Sequence, residues 1–224
     1  MTIQDLLNYP LRDDSEIKRV EIIILTCNMQ EVENECIKRI IDNTFHPYKL
    51  VVYDNRPDSP AWHGTHISKV WNKLIKQSTC DYICLMNSDI LVGVNWLEPM
   101  LDVFKRYENV GVVVPLLGES APNYIQQKAK QDLPYEVNEQ VSGSCFLFKK
   151  ELIDKIGDFN NRFYFYGQET EWFQRVIKAG YKVYLQPVVT MEHLKRITVV
   201  RNMSEEFQKE EEEYLSKLLK EFNL

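Results

Sequence analysis

The sequence predicts an α/β domain with a mostly parallel central sheet flanked by helices, followed by a separate C-terminal helix. Two observations carry this. Across 20–118, four short apolar runs alternate with three segments of helical spacing, the arrangement of parallel strands joined by crossover helices. Three of those runs stop abruptly in small polar or acidic residues, at Thr26-Cys27-Asn28, Asp54-Asn55 and Asn87-Ser88-Asp89. In a parallel sheet these endings share one edge, the edge at which open α/β sheets bind ligands.

Residues 1–19 read as an N-terminal arm. Val20 to Leu25 is a β-branched run and a buried strand. Glu31 to Asn43 places Val32, Cys36, Ile37, Ile40 and Ile41 on one helical face. Lys49 to Tyr53 is the second strand, Ser68 to Gln77 the second helix, and Tyr82 to Met86 the third strand. Trp96 to Tyr107 repeats Leu97, Met100, Leu101 and Phe104 at helical spacing, and Gly111 to Leu116 is the fourth strand. The polar stretch 119–140 reads as a mobile loop. Val141 to Phe148 is a further strand, Glu151 to Ile156 a short helix stopped by Gly157, and 159–167 an aromatic-rich loop. Glu169 to Ala179 is helical with Gly180 as its stop, and Tyr181 to Leu185 is a strand. Ser204 caps an amphipathic helix to Phe222 with Glu205 and Glu206 in its first turn. The predicted boundaries are 1–19, a domain at 20–200 with halves at 20–118 and 119–200, and a helical segment at 201–224.

At 224 residues the chain can build one sizeable core. Its 27 basic and 33 acidic residues give a net charge of −6, which excludes a surface built mainly for nucleic-acid phosphates. A local basic patch at Lys195, Arg196 and Arg201 stays compatible with that balance. The five cysteines form no C-x-x-C pair, as expected in a reducing compartment. The first 19 residues carry no signal-peptide core, and no run reaches the ~20 apolar residues that span a bilayer. A cytoplasmic location is expected. Only eight glycines are present, with no G-x-G-x-x-G after the first strand and no phosphate-binding P-loop.

The polar strand endings supply the candidate site. Asp89 would sit at the mouth of a buried strand, where a carboxylate needs a positive partner such as a divalent cation holding a diphosphate; Asn87 and Asp89 would serve equally as turn caps. Asp54-Asn55 could accept the N–H of a nucleobase or simply form a turn. Glu169 and Glu171 open a helix whose dipole favours carboxylates. If Phe163, Tyr164, Phe165, Tyr166 and Trp172 wall Glu169, its pKa rises toward that of a general base. His193 follows the apolar stretch Val188 to Met191 and is either a metal ligand or a structural residue.

These motifs together resemble the family 2 glycosyltransferases of the GT-A fold, a Rossmann-like architecture, and in particular their rhamnosyltransferase-like members. The resemblance runs from about Val20 to His193. It rests on the first strand with Thr26-Cys27-Asn28, on Tyr53-Asp54-Asn55, and on Leu85-Met86-Asn87-Ser88-Asp89-Ile90 followed by Trp96-Leu97-Glu98-Pro99-Met100-Leu101. It rests also on the ordered block Gly143-Ser144-Cys145-Phe146-Leu147, Ile156-Gly157-Asp158-Phe159, Phe165-Tyr166-Gly167-Gln168-Glu169-Thr170-Glu171, Arg175 and Ala179-Gly180-Tyr181.

The resemblance implies inverting transfer of a sugar from a nucleotide diphosphate-sugar, a UDP-sugar by default, to an acceptor hydroxyl. It makes 20–118 the donor half and 119–200 the acceptor and catalytic half. Thr26, Asn28, Asp54, Asn55, Asn87 and Ser88 would contact the nucleotide; Asp89 and His193 would hold Mn2+ or Mg2+. Glu169 would be the general base, with Glu171 as the other candidate. The sequence departs from the family pattern at Gln168-Glu169, where the family has Glu-Asp, and at Asn87-Ser88-Asp89, which keeps one carboxylate of the D-x-D motif. The alternative is a non-catalytic nucleotide- or glycan-binding protein on a degenerate glycosyltransferase fold. The C-terminal helix could form a homodimer, cover the site or pack on the body.

Overall fold

In the computed structural model, residues 18–26, 30–55, 67–120, 124–163, 166–194 and 205–222 are described. The strands are β1 (Val20–Thr26), β2 (Tyr48–Asp54), β3 (Tyr82–Asn87), β4 (Ile90–Leu91), β5 (Val110–Leu116), β6 (Tyr135–Glu136), β7 (Cys145–Lys149), β8 (Lys182–Thr190) and β9 (Glu192–His193). The helices are α1 (Gln30–Asn43), α2 (Ile67–Gln77), α3 (Leu97–Arg106), α4 (Leu152–Ile156), α5 (Gln168–Lys178) and α6 (Glu205–Phe222).

Seven strands form one sheet in the order β2-β1-β3-β7-β5-β8-β6. β1 pairs in parallel with both β2 and β3, and β5 in parallel with β8. β7 runs antiparallel between β3 and β5, and β6 antiparallel on β8. Five of the seven strands therefore point one way.

Both faces of the sheet are covered, which explains why its strands read as continuous apolar runs. Val20, Ile22 and Ile24 face one core together with Cys36 and Ile40 of α1 and Leu97, Met100 and Leu101 of α3. Ile23, Ile83 and Leu85 face the other, with Val70, Trp71 and Leu74 of α2, Leu152 of α4, and Trp172 and Val176 of α5. One carboxylate interrupts β1: Glu21, 2% exposed, is matched by Lys49 Nζ at 3.0 Å and Ser78 Oγ at 2.8 Å.

The segment predicted as a mobile loop is partly organised. It contains two 3-10 turns, Gly118–Ser120 and Ile125–Gln127, then β6, and it buries Gln126 and Val137. Its polar composition concealed that the amide of Gln126 is satisfied by backbone.

α6 lies against Arg162, Phe163 and Gly167 of its own chain through its C-terminal half. The Arg162 guanidinium makes a two-pronged ion pair with Glu221 at 2.5 and 2.7 Å. Tyr214 donates its hydroxyl to Arg162 O at 2.9 Å, Phe222 meets Phe163, and Leu218 is buried. Leu215 occupies the space beside Gly167, where a Cβ would stand 2.5 Å from Leu215 Cδ1. Gly167 is also left-handed, with φ +82°, so both its backbone and its neighbour require glycine. The remaining stretches assigned from sequence, 1–17 and 195–204 with Lys195, Arg196, Arg201 and Ser204, lie outside the described residues.

Candidate active site

The chain leaves β1 for β2 on one side and returns to β3 on the other, so the ends of β1 and β3 frame a switch point of the kind that binds ligands in α/β sheets. Thr26 lies opposite Asp54, and Leu25 opposite Asn87. The three polar strand ends are thus neighbours. Thr26 is buried, its hydroxyl donating to Tyr53 O at 3.3 Å, and its carbonyl accepts the Asn55 N–H at 2.9 Å. Asn55 is 7% exposed, and among the described residues its Oδ1 has no hydrogen-bond partner. Asp54 is exposed beside it. Asn28 lies outside the described residues.

After β3, Ser88 and Asp89 turn into β4, and both are buried. β4 pairs antiparallel with β9, placing Ile90 opposite His193. The pairing brings Asp89 Oδ1 to 3.2 Å from His193 Nε2, and Asp89 O accepts the Leu194 N–H at 3.0 Å. Asp89 and His193, far apart in sequence, are therefore one unit. Cys36 Sγ lies 3.8 Å from Asn87 O; burial, with Asp89 and Glu33 adding to it, pushes this thiol up to about 12, so it stays protonated.

Among the described residues no cluster of three or more His, Cys, Asp or Glu side chains could hold a metal. One carboxylate and one imidazole nevertheless suit a hard divalent cation that takes its other ligands from phosphate oxygens and water.

Glu169 and Glu171 behave differently although they share the first turn of α5. Glu171 is 6% exposed and is gripped by Arg175, with Nε to Oε1 at 2.7 Å and Nη2 to Oε2 at 2.8 Å. Arg175 also donates to Ile156 O and Asp158 O, both at 2.7 Å, tying the turn after α4 to α5. Glu169 has no such cation among the described residues. Burial raises its pKa against the backbone N–H groups of Glu169 and Gly143, which favour the ionised form. Its side chain lies across Gly143, where a Cβ would stand 2.1 Å from Glu169 Cγ. Ser144 O then accepts the Asn87 N–H at 2.8 Å, so the 142–144 loop touches both α5 and the β3 strand end.

Of the aromatic residues expected to wall Glu169, Phe163 and Trp172 are placed in the core. Both are fully buried: Trp172 stacks on Phe159 at 4.8 Å and donates its indole N–H to Gly157 O. Tyr164 and Phe165 lie outside the described residues. The Gly143 loop packs on the Glu169 side chain. Sequence reasoning passed over the contact of Gly143 with Glu169; a glycine at the mouth of a strand is the signal for such a close approach. His46 is held by Glu98 at 2.9 Å and Lys18 O at 2.8 Å, away from these groups. A cavity of about 240 Å3 lined by Tyr107, Lys149, Lys155 and Tyr181 lies at the opposite end of the sheet, by the start of β5.

Residues 63–169 match the family model of glycosyl transferase family 2. No curated protein matches the chain. Solved structures do. GalNAc-T7 with UDP, GalNAc and Mn2+ superposes at a TM-score of 0.62 with 13% identity, covering 80% of this chain and 44% of that one. The architecture is the GT-A glycosyltransferase fold. The mannosyltransferase PcManGT from Pyrobaculum calidifontis, in complex with GDP-Man and Mn2+, gives 0.60 and 16%, covering 85% and 61%. S. aureus TarS gives 0.61 and 13%, covering 82% and 38%. The chain spans less than two thirds of each of these three. Within the GT-A frame, Asn87-Ser88-Asp89 stands where the sheet's carboxyl edge opens, and Glu169 stands at the start of a helix facing that edge from the second half. No helix among the described residues is long and apolar enough to cross a membrane.

Proposed function

We propose that the chain is an inverting, metal-dependent glycosyltransferase that moves a sugar from a nucleotide diphosphate-sugar to an acceptor hydroxyl. The observation that carries the reading is the pairing of Asp89 with His193 at the mouth of the switch point, directly beside the polar ends of β1, β2 and β3. Asn55 Oδ1, buried and unmatched among the described residues, is an acceptor suited to a nucleobase N–H, with Thr26, Asn28, Asp54, Asn87 and Ser88 completing the nucleotide contacts. UDP is the default nucleotide. UDP in one neighbour and GDP-Man in another, each with Mn2+, support the donor class.

Mn2+ or Mg2+ held by Asp89 and His193 would offset the charge that develops on the leaving diphosphate. Glu169 is the general base. Its raised pKa brings it toward the range in which a carboxylate takes a proton from a hydroxyl near neutrality. Glu171 is assigned a structural role, since both its oxygens are engaged by Arg175. Attack by the deprotonated acceptor opposite the leaving diphosphate gives inversion. The buried, unbridged cysteines Cys36, Cys80, Cys84 and Cys145 support a reducing, cytoplasmic setting.

The test is thermal unfolding with UDP, dTDP, GDP, CDP and ADP, each with and without Mn2+. A nucleotide at 100 times its Kd stabilises by about 2.7 kcal/mol, a rise of roughly 5–10 °C for a chain of this size. A rise for one nucleotide that needs Mn2+ and disappears in Asp89→Ala is the expected result. An equal rise in Asp89→Ala overturns the metal assignment. The absence of any rise favours a non-catalytic protein on the same fold.

A further inference from the structure

We infer that Gln126 is a positioning residue that fixes the base, Glu169, in register with the metal-bearing edge of the sheet. The inference rests on the assignment of Glu169 as the base and extends it to a residue that none of the quoted sequence motifs contains.

Gln126 is fully buried within a stretch whose composition predicts exposure. Three of the four hydrogen-bonding positions of its side-chain amide are committed to backbone. Oε1 accepts the Ser142 N–H at 2.6 Å, and Nε2 donates to Pro115 O at 3.2 Å and to Ser142 O at 3.5 Å. Its own carbonyl accepts the Leu117 N–H at 2.8 Å. The residue thus joins the carboxyl end of β5 to Ser142.

The next residues show what this join controls. Gly143 carries Glu169 across its Cα and gives the carboxylate a backbone N–H. Ser144 O holds the Asn87 N–H, and the Ser142 and Ser144 hydroxyls lie 3.0 Å apart. Three consecutive residues are tied in turn to Gln126, to the base and to the strand that leads into Asp89. At the other end of the Gln126 segment, the Ser120 hydroxyl is bonded to Leu117 O and accepts the His193 N–H at 3.3 Å. A polar path therefore runs from His193 through Ser120, Leu117, Gln126 and Ser142 to Gly143 and Glu169, and the Gln126 side chain is the link in it between β5 and Ser142. An apolar residue of the same volume would leave the Ser142 N–H and two carbonyls unmatched.

The test compares Gln126→Met, which keeps length and removes every bond, with Gln126→Glu, which keeps an oxygen toward the Ser142 N–H. Three readouts are taken on folded protein: UDP release from a panel of UDP-sugars with water as acceptor, Mn2+-dependent UDP affinity, and amide hydrogen exchange over 141–145. The expected result for Gln126→Met is a loss of kcat of roughly 10–100-fold, the scale of a misplaced catalytic group. UDP affinity stays unchanged, exchange at 142–144 is faster, and Gln126→Glu recovers part of the rate. Unchanged kcat, or unchanged exchange over 141–145, overturns the inference. So does a joint fall of kcat and UDP affinity, which would mark Gln126 as support for the fold alone. If Gln126→Met does not fold, Gln126→Glu decides by the same readouts. Glu169→Gln run in parallel separates the two claims: full turnover in that variant removes the base assignment itself, whereas its loss together with a wild-type rate in the Gln126 variants removes only the positioning role.

Discussion

Replacing Gly143 by alanine would perturb Glu169, the proposed base, through one methyl group. The backbone of Gly143 is not left-handed, so alanine is acceptable there as a residue. The obstacle is Glu169, whose Cγ, Cβ and Cδ would stand 2.1, 2.7 and 2.7 Å from the new Cβ. Carbon atoms settle at ~3.5–4.0 Å, so Glu169 would have to retreat by roughly 1.5 Å. A displacement of ~1 Å at a reacting group costs ~100-fold, which is about 2.7 kcal/mol of barrier. The expected outcome is a folded Gly143→Ala protein that melts below wild type, because Glu169 Cβ on α5 must also give way, and that binds UDP with Mn2+ normally but turns over ~100-fold more slowly. Steady-state UDP release from a UDP-sugar measures the loss, and thermal unfolding checks the fold. Gly93→Ala is the control, since its Cβ would meet nothing nearer than Thr190 O at 3.8 Å. Combining Gly143→Ala with Glu169→Gln should add no further loss, because both act through one group. A folded Gly143→Ala protein with wild-type kcat would refute the placement of Glu169.

Two further outcomes follow from the carboxylates of α5. The Glu169 pKa is raised, so its ionisation costs stability above the folded-state pKa and nothing below the unfolded-state value near ~4.3. Stability attributable to Glu169 therefore falls as pH rises between those two values. Glu169→Gln should melt higher than wild type at neutral pH, the gap closing in acid, while wild-type kcat/KM falls as pH drops through the raised pKa; a melting gap independent of pH contradicts the shift. Glu171→Ala should destabilise by an amount at the lower end of ~3–5 kcal/mol, because Arg175 loses a buried partner yet keeps partial solvent contact and its bonds to Ile156 O and Asp158 O. Chemical denaturation measures this, and Glu171→Ala protein that is fully stable but inactive would return Glu171 to a catalytic role.

The first half of the fold is legible because both faces of the sheet are covered. Val20 to Leu25 and Tyr82 to Met86 then read as unbroken apolar runs, and their sudden ends at Thr26 and Asn87 mark the carboxyl edge. The same continuity hides direction. Cys145–Phe148 is as apolar as a parallel strand, and nothing in its composition says that it runs opposite to β3 and β5. The partnership of Asp89 with His193 depends on the two-residue pairing of β4 and β9, too short for any periodicity to register. Gln126 was hidden for another reason: a polar residue is read as exposed unless its backbone partners are known, and those partners, Pro115 and Ser142, come from two different segments. The Glu171–Arg175 pair was open to reading, since Glu and Arg four apart on a helix meet on one face; the sequence does not show that Glu169, two residues earlier, turns toward Gly143.

The reversed strand β7 also has a consequence for how the chain acquires its structure. β3 finds one neighbour in β1, made earlier in synthesis, but its other edge is completed only when residues 145–149 arrive and pair with 82–86. Until then a central, wholly apolar strand offers a bare row of backbone donors and acceptors, a template for pairing with other chains. Contacts of such sequence separation form slowly. A chain cut near residue 118 would keep that edge open permanently, and a nascent chain carries it for the time needed to synthesise the roughly sixty residues between β3 and the end of β7, ~3–12 s at common elongation rates.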